Sequence, residues 1–276
     1  LKEYTEAKKA FQKSVDIKPN AKAYQGLGWS ILKLNNHLLE HLRLGTSGIH
    51  SVPSYTNYYQ AIGYASLGEN KCTEAIVAFN KSQVLKEEWE CLQDLGIAYL
   101  QINQYGAAID ALKKSMILRQ DWKTYYVYGM AHHKLKINGR SDQTISSYRK
   151  AAELKSHWRI YYDLGRTLEY TNQFNEAIVA YKKSIDVIEN APRCVYYHLG
   201  SVYCKTNQHF EAIEVLQKSN EIKENYRAYR ELGWAFLELK DYRAAKSAFK
   251  RSIQMRKHWS SYRGLGNVMF KLGQYS

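Results

Sequence analysis

The sequence predicts an all-α protein, a solenoid of antiparallel helix pairs, and three observations predict it. Glycine keeps one beat: Gly28, Gly63, Gly96, Gly129, Gly165, Gly200, Gly233 and Gly266 are separated by 35, 33, 33, 36, 35, 33 and 33 residues. Self-similarity at such a period marks a repeat array and overrides the two-domain expectation that 276 residues would raise. Around the glycines, bulky and small residues recur at three- and four-residue spacing, the period of a helix face. With 16 glycines and 3 prolines, the chain is also poor in the residues that collagen-like and turn-rich β architectures need.

Each period divides into two helices. The first, helix A, carries Tyr four residues before the glycine, as at Tyr24, Tyr59, Tyr125, Tyr161, Tyr196, Tyr229 and Tyr262, with an apolar residue just before it. Helix B opens its buried face with Ala7, Ala75, Ala108, Ala177, Ala212 or Ala245. Four residues on comes a bulky side chain (Phe11, Phe79, Leu112, Tyr148, Tyr181, Leu216, Phe249), and three further a small one (Ser14, Ser82, Ser115, Ala151, Ser184, Ser219, Ser252). Small beside large lets two helix backbones approach while the ring or leucine fills the adjoining space. The pairs Asn103-Gln104, Asn172-Gln173, Asn207-Gln208 and Lys240-Asp241 form the short polar turn between the helices.

Along the chain, Leu1 falls inside a helix B and Ser276 just past a helix A, so 1–276 reads as a single array of about seven to eight repeats cut at both ends, a fragment of a longer one. The second helix B, over 36–53, is degenerate: Glu40 stands where Ala belongs, and Gly45-Thr46-Ser47-Gly48 with Pro53 ends it early, which makes this hairpin the expected weak link. His37-Leu38-Leu39-Glu40-His41 in that segment matches the H-x-x-E-H pattern of a metalloprotease family, but its helical-array setting makes these structural histidines, and no metal is expected. Between Gly129 and Gly165 the insertion spanning Ile137 to Asp142 lengthens one turn as a spacer.

Together Tyr229, Leu232, Gly233, Phe236, Ala245, Phe249 and Ser252 resemble the tetratricopeptide repeat family, whose pattern spreads an aromatic, Leu-Gly, Tyr, Ala, an aromatic, Ala and Pro over two helices. The likeness covers nearly the whole chain and implies a right-handed superhelix. Three departures stand out. The period is mostly 33, Pro closes a repeat only at Pro19, and Trp or Tyr opens helix A at Trp89, Trp122, Trp158, Tyr226 and Trp259.

Charge then bears on function. Lys+Arg number 40 against 26 Asp+Glu, a net charge of +14. Lys13, Lys81, Lys114, Lys150, Lys183, Lys218 and Arg251 form a stripe on helix B, read as a solvated face. The resemblance implies that partners lie in a concave groove lined by helix A. Its groove positions take Lys123, Tyr126, Lys134, Arg159, Tyr162, Arg166, Tyr197, Lys205, Arg227, Arg230, Arg263 and Asn267. Cations there suit an acidic or phosphorylated extended or helical protein segment. A clamp for a C-terminal carboxylate is matched only in its first step, by Arg263 with Asn267.

The expected function is a non-catalytic interaction scaffold. One alternative is the substrate-recognition arm of a glycosyl- or sulfotransferase whose catalytic domain lies elsewhere; another is binding of RNA or other single-stranded nucleic acid, since basic and aromatic residues interleave. Neither a phosphate-cradling glycine loop nor a nucleophile elbow occurs, and no cofactor is expected. The absence of a long apolar run or an opening apolar stretch, and cysteines Cys72, Cys91, Cys194 and Cys204 without C-x-x-C spacing, point to a cytoplasmic protein with reduced thiols and no membrane contact.

Overall fold

The computed structural model describes residues 2–17, 23, 26, 27, 30, 53–68, 70–135 and 141–273. Every regular element among them is an α-helix: α1 (Lys2–Ile17), α2 (Pro53–Gly68), α3 (Cys72–Leu85), α4 (Trp89–Gln101), α5 (Tyr105–Leu118), α6 (Trp122–Leu135), α7 (Ser141–Leu154), α8 (Trp158–Tyr170), α9 (Phe174–Asp186), α10 (Arg193–Lys205), α11 (His209–Ile222), α12 (Tyr226–Glu238), α13 (Tyr242–Met255) and α14 (Trp259–Lys271). Even-numbered helices are the expected A helices and odd-numbered ones the B helices. The degenerate segment 36–53, with the His37 to His41 motif, lies outside the described residues but for Pro53, as does most of the 137–142 insertion.

The helices gather into two compact units, residues 1–147 and 148–276. In the first, α2 packs on α3 and α4 on α5, and α4 also touches α6. In the second, α8 pairs with α9, α10 with α11 and α12 with α13, while α8, α10, α12 and α14 touch in succession. A helices thus form a layer of their own within each unit.

The local chemistry explains the hairpins. Asn70, Asn103, Asn172, Asn207 and Lys240 all have φ between 58 and 63°, the left-handed conformation that ends a helix and that asparagine tolerates better than most residues. There the chain folds back on the helix end: Gln104 N–H donates to Tyr99 O at 2.9 Å and Asn103 N–H to Leu100 O at 3.2 Å, satisfying terminal carbonyls. At the other end of the pair, Asp121 caps α6 by accepting from Lys123 N–H at 2.9 Å and Thr124 N–H at 3.3 Å.

Close packing at the glycines holds the pairs together. A Cβ at Gly233 would stand 2.6 Å from the Phe249 ring, and one at Gly200 would stand 2.5 Å from Leu216. Gly63, Gly96 and Gly165 meet Phe79, Leu112 and Tyr181 in the same way. Gly129 is buried, Gly28 lies outside the described residues, and Gly266 has nothing beside it. In that helix it is Gly264 that meets Phe249, where a Cβ would stand 2.2 Å from the ring, so one ring packs against two successive A helices. The serine three residues after the bulky side chain is more than small. Ser115, Ser184, Ser219 and Ser252 donate to the carbonyls of Trp89, Trp158, Arg193 and Tyr226, at 2.8, 2.9, 3.3 and 2.8 Å, tying helix B to the first residue of its own helix A.

The helix B cations and the recurrent tyrosines belong together. Lys81 lies over the Tyr59 ring at 5.5 Å and Lys183 over Tyr161 at 5.9 Å. These tyrosines are half-buried and floor crevices, of about 350 Å³ between α2 and α3 at Tyr59, and of 580 Å³ at Tyr161 and 820 Å³ at Tyr229 between successive B helices. The stripe read as merely solvated therefore also covers the rings of its own repeats.

Candidate partner-binding face

The predicted groove cations sit on A helices, and the structure sorts them by what holds them. Four carry a carboxylate. In the first unit Lys123 Nζ lies 3.6 Å from Asp94 Oδ1. In the second, Arg159 Nε lies 3.2 Å from Asp163 Oδ2, Lys205 Nζ 2.8 Å from Glu169 Oε1, and Arg230 Nη2 2.8 Å from Glu231 Oε1. Asp94, Asp163 and Glu231 each stand two residues before the repeat glycine, a position outside the groove set carried over from the family, so they offset part of the positive charge of the groove residues.

Arg159 also lies over Trp158 and Tyr162, and Lys205 over Phe174, so pairing and ring contact coincide at both; three others rest on rings alone. Arg166 lies over Tyr162 at 5.9 Å, Arg227 over Tyr226 at 5.8 Å, and Arg263 over both Trp234 and Trp259 at 5.1 and 5.2 Å. Among the described residues no carboxylate reaches any of the three. Lys134 and Asn267 are exposed and Tyr126 is half-buried.

Glu169 of α8 is the most densely held group. Its carboxylate accepts from Tyr181 Oη of α9 at 2.9 Å and from Lys205 Nζ of α10 at 2.8 Å, and it meets His198 Nδ1 of α10 at 3.2 Å. Burial alone would raise its pKa, but the contacts of His198 and Lys205 outweigh it and hold the carboxyl at about 2. Beside it opens a cavity of about 480 Å³ lined by Tyr197, His198, Lys205, Arg230 and Glu231 among others, which brings three of the predicted residues to one place. Tyr162 departs from expectation: it is buried, packs on Tyr181 and His198 with centroids 6.1 and 5.7 Å away, and burial pushes its hydroxyl up to about 12. It supports the face rather than lining it.

Three features carry no signal in the repeat pattern: the contacts of Glu169, His198, and Arg256, whose guanidinium lies 5.0 Å from the Tyr226 ring centroid. The recurrence of acids at Asp94, Asp163 and Glu231 was the available signal for the ion pairs. Among the described residues no cluster of His, Cys, Asp and Glu is arranged to hold a metal, and no helix is long and apolar enough to cross a membrane.

Stacked antiparallel hairpins with a polar, ring-studded layer of A helices define a helical-repeat interaction scaffold. Models of the tetratricopeptide repeat match residues 193–258, and residues 1–20 and 159–190. Over those residues the chain carries tetratricopeptide repeats. Solved structures agree: MamA protein, 26% identical, aligns over 62% of this chain and 92% of its own with a TM-score of 0.56. The C-terminal part of a repeat protein from Cytophaga hutchinsonii, 20% identical, covers 72% and 78% at a TM-score of 0.60. YrrB, described as a repeat protein with an unusual peptide-binding site, is 17% identical over 69% and 92%, with a TM-score of 0.55. The last two show the fold alone. No curated protein matches the sequence.

Proposed function

We propose that the protein is a non-catalytic scaffold, cytoplasmic as its four free thiols suggest, that binds an acidic extended or helical segment of a partner protein along its A helices. The observation that carries this reading is the set of arginines Arg166, Arg227 and Arg263, held over aromatic rings and, among the described residues, without a carboxylate in reach. A guanidinium seated on a ring keeps its N–H edge available to a carboxylate, so little ordering remains for the ligand to impose. Lys205 and Arg230, already neutralised by Glu169 and Glu231, shape the cavity between them and contribute less charge. The peptide-binding site named in the description of YrrB is consistent with such use of the fold.

The test is a charge-matched peptide array read at two ionic strengths. Acidic peptides bind, binding weakens as salt rises, and sequences of equal charge differ in affinity. Binding that depends on net charge alone, or retention of basic peptides in preference to acidic ones, contradicts the reading.

A further inference from the structure

At the start of α12 two like charges converge on one neutral oxygen. The Tyr226 hydroxyl accepts from Arg227 Nε at 3.1 Å and from Arg256 Nη1 at 3.0 Å, and both guanidiniums also lie over its ring. Arg256 arrives from the C-terminal end of α13 because that helix runs back beside α12, tied there by the bond from Ser252 to the Tyr226 carbonyl. Neither arginine has a carboxylate in reach among the described residues, and both side chains are exposed. Hydrogen bonding from Arg227 lowers the Tyr226 pKa against a small opposing effect of burial, with Arg256 and Arg230 adding to it. Tyr162, Tyr181, Tyr197 and Tyr229 all shift upward instead.

Each guanidinium has five N–H donors. With one on each used by Tyr226, the pair presents two planar forks around a single point. Such a site suits a doubly charged group with three acceptor oxygens better than a carboxylate with two. Both guanidiniums crowd the Tyr226 ring, at 5.8 and 5.0 Å from its centroid, which favours a compact anion over a stacked base and argues against single-stranded nucleic acid.

We infer that Tyr226, Arg227 and Arg256 form a phosphoryl-binding clamp that receives a phosphorylated serine or threonine side chain of the partner segment. This rests on reading the A-helix layer as a protein-binding face, and it specifies one group that the partner carries.

The test uses the full chain and three degenerate peptide libraries identical except for a central phosphoserine, aspartate or serine, with affinity read by fluorescence anisotropy. The phosphoserine library should bind at least tenfold more tightly than the aspartate one. Arg227→Gln with Arg256→Gln should reduce that preference to within about twofold, at unchanged helical content because both side chains are exposed. Replacing both by lysine keeps the charge, removes the forks and should lose most of the preference. Equal binding of the phosphoserine and aspartate libraries overturns the clamp and leaves the acidic-segment reading standing, whereas binding of none of the libraries defeats both. A preference that survives in the double glutamine variant, or displacement of the phosphoserine library by a U20 oligonucleotide at comparable concentration, overturns the clamp.

Discussion

The Glu169 cluster and the Tyr226 pair lie in the same unit, both gather cations, and they resolve the gathering in opposite ways. At Glu169 a half-buried carboxylate draws Tyr181, His198 and Lys205 onto itself, so the charges cancel inside the fold. At Tyr226 two guanidiniums share a phenol that neutralises neither. A cation paired within its own array has its partner already and serves packing, whether or not a ring lies beside it; one that rests on a ring alone is kept in position with its charge unspent. The number of basic residues does not separate the two; which of them are paired does.

That contrast can be broken by substitution. The largest effect is expected at Glu169→Gln. The carboxyl ionises at about 2 in the fold against 4.5 in the unfolded chain, so its stabilisation is complete above about pH 4.5 and fades as the pH falls towards 2. That gap is worth on the order of 3 kcal/mol, and the variant should lose it at neutral pH and lack the corresponding acid-induced decline. Thermal melts of both proteins between pH 2 and 7 check both halves. Ala177→Leu, at a fully buried position of α9, should cost about 1 to 3 kcal/mol by overpacking the hairpin beneath the same unit. An unchanged melting temperature would mean that this face is not the A–B contact.

Smaller effects sharpen the comparison. Tyr181→Phe removes one donor to Glu169 while keeping a ring of the kind that Phe79 and Phe249 supply at the equivalent place, and urea unfolding should register a loss of about 1 to 2 kcal/mol. Lys240→Gly should add about 0.5 to 1 kcal/mol, since lysine there occupies the left-handed conformation that glycine adopts without strain. Arg256→Gln should leave stability within about 0.5 kcal/mol or raise it slightly, because it relieves two like charges and breaks no ion pair. A clear loss there, comparable with that at Glu169, would erase the distinction.

Much of the fold was legible because packing repeats with the chain. The glycine beat, the bulky residue sixteen places on and the asparagine turns are local or strictly periodic signals, and each corresponds to one contact in the hairpin. The serine bonds were hidden because their acceptors are backbone carbonyls, which have no letter in the sequence. Gly264 was missed because the beat pointed to Gly266, and contact with the preceding Phe249 follows the stacking of neighbouring repeats rather than the hairpin itself. The site was less legible for the same reason. Whether a cation is paired depends on side chains such as Glu169 and Lys205, 36 residues apart, that meet only when one A helix lies against the next. Tyr162 illustrates the cost of carrying positions over from a family: its place in the pattern suits a groove, while its neighbours Tyr181 and His198 bury it.

Arginines held by rings alone should bind and carboxylate-paired cations should support, and one comparison of affinities tells the two apart. An acidic peptide selected on the wild-type protein is titrated against Arg166→Gln with Arg227→Gln and Arg263→Gln, and in parallel against Lys123→Gln with Arg159→Gln and Lys205→Gln. The first triple variant should lose at least tenfold in affinity at an unchanged melting temperature, and the second should keep its affinity within about threefold while melting lower. The reverse pattern, with binding lost in the second variant and kept in the first, would contradict this division of roles.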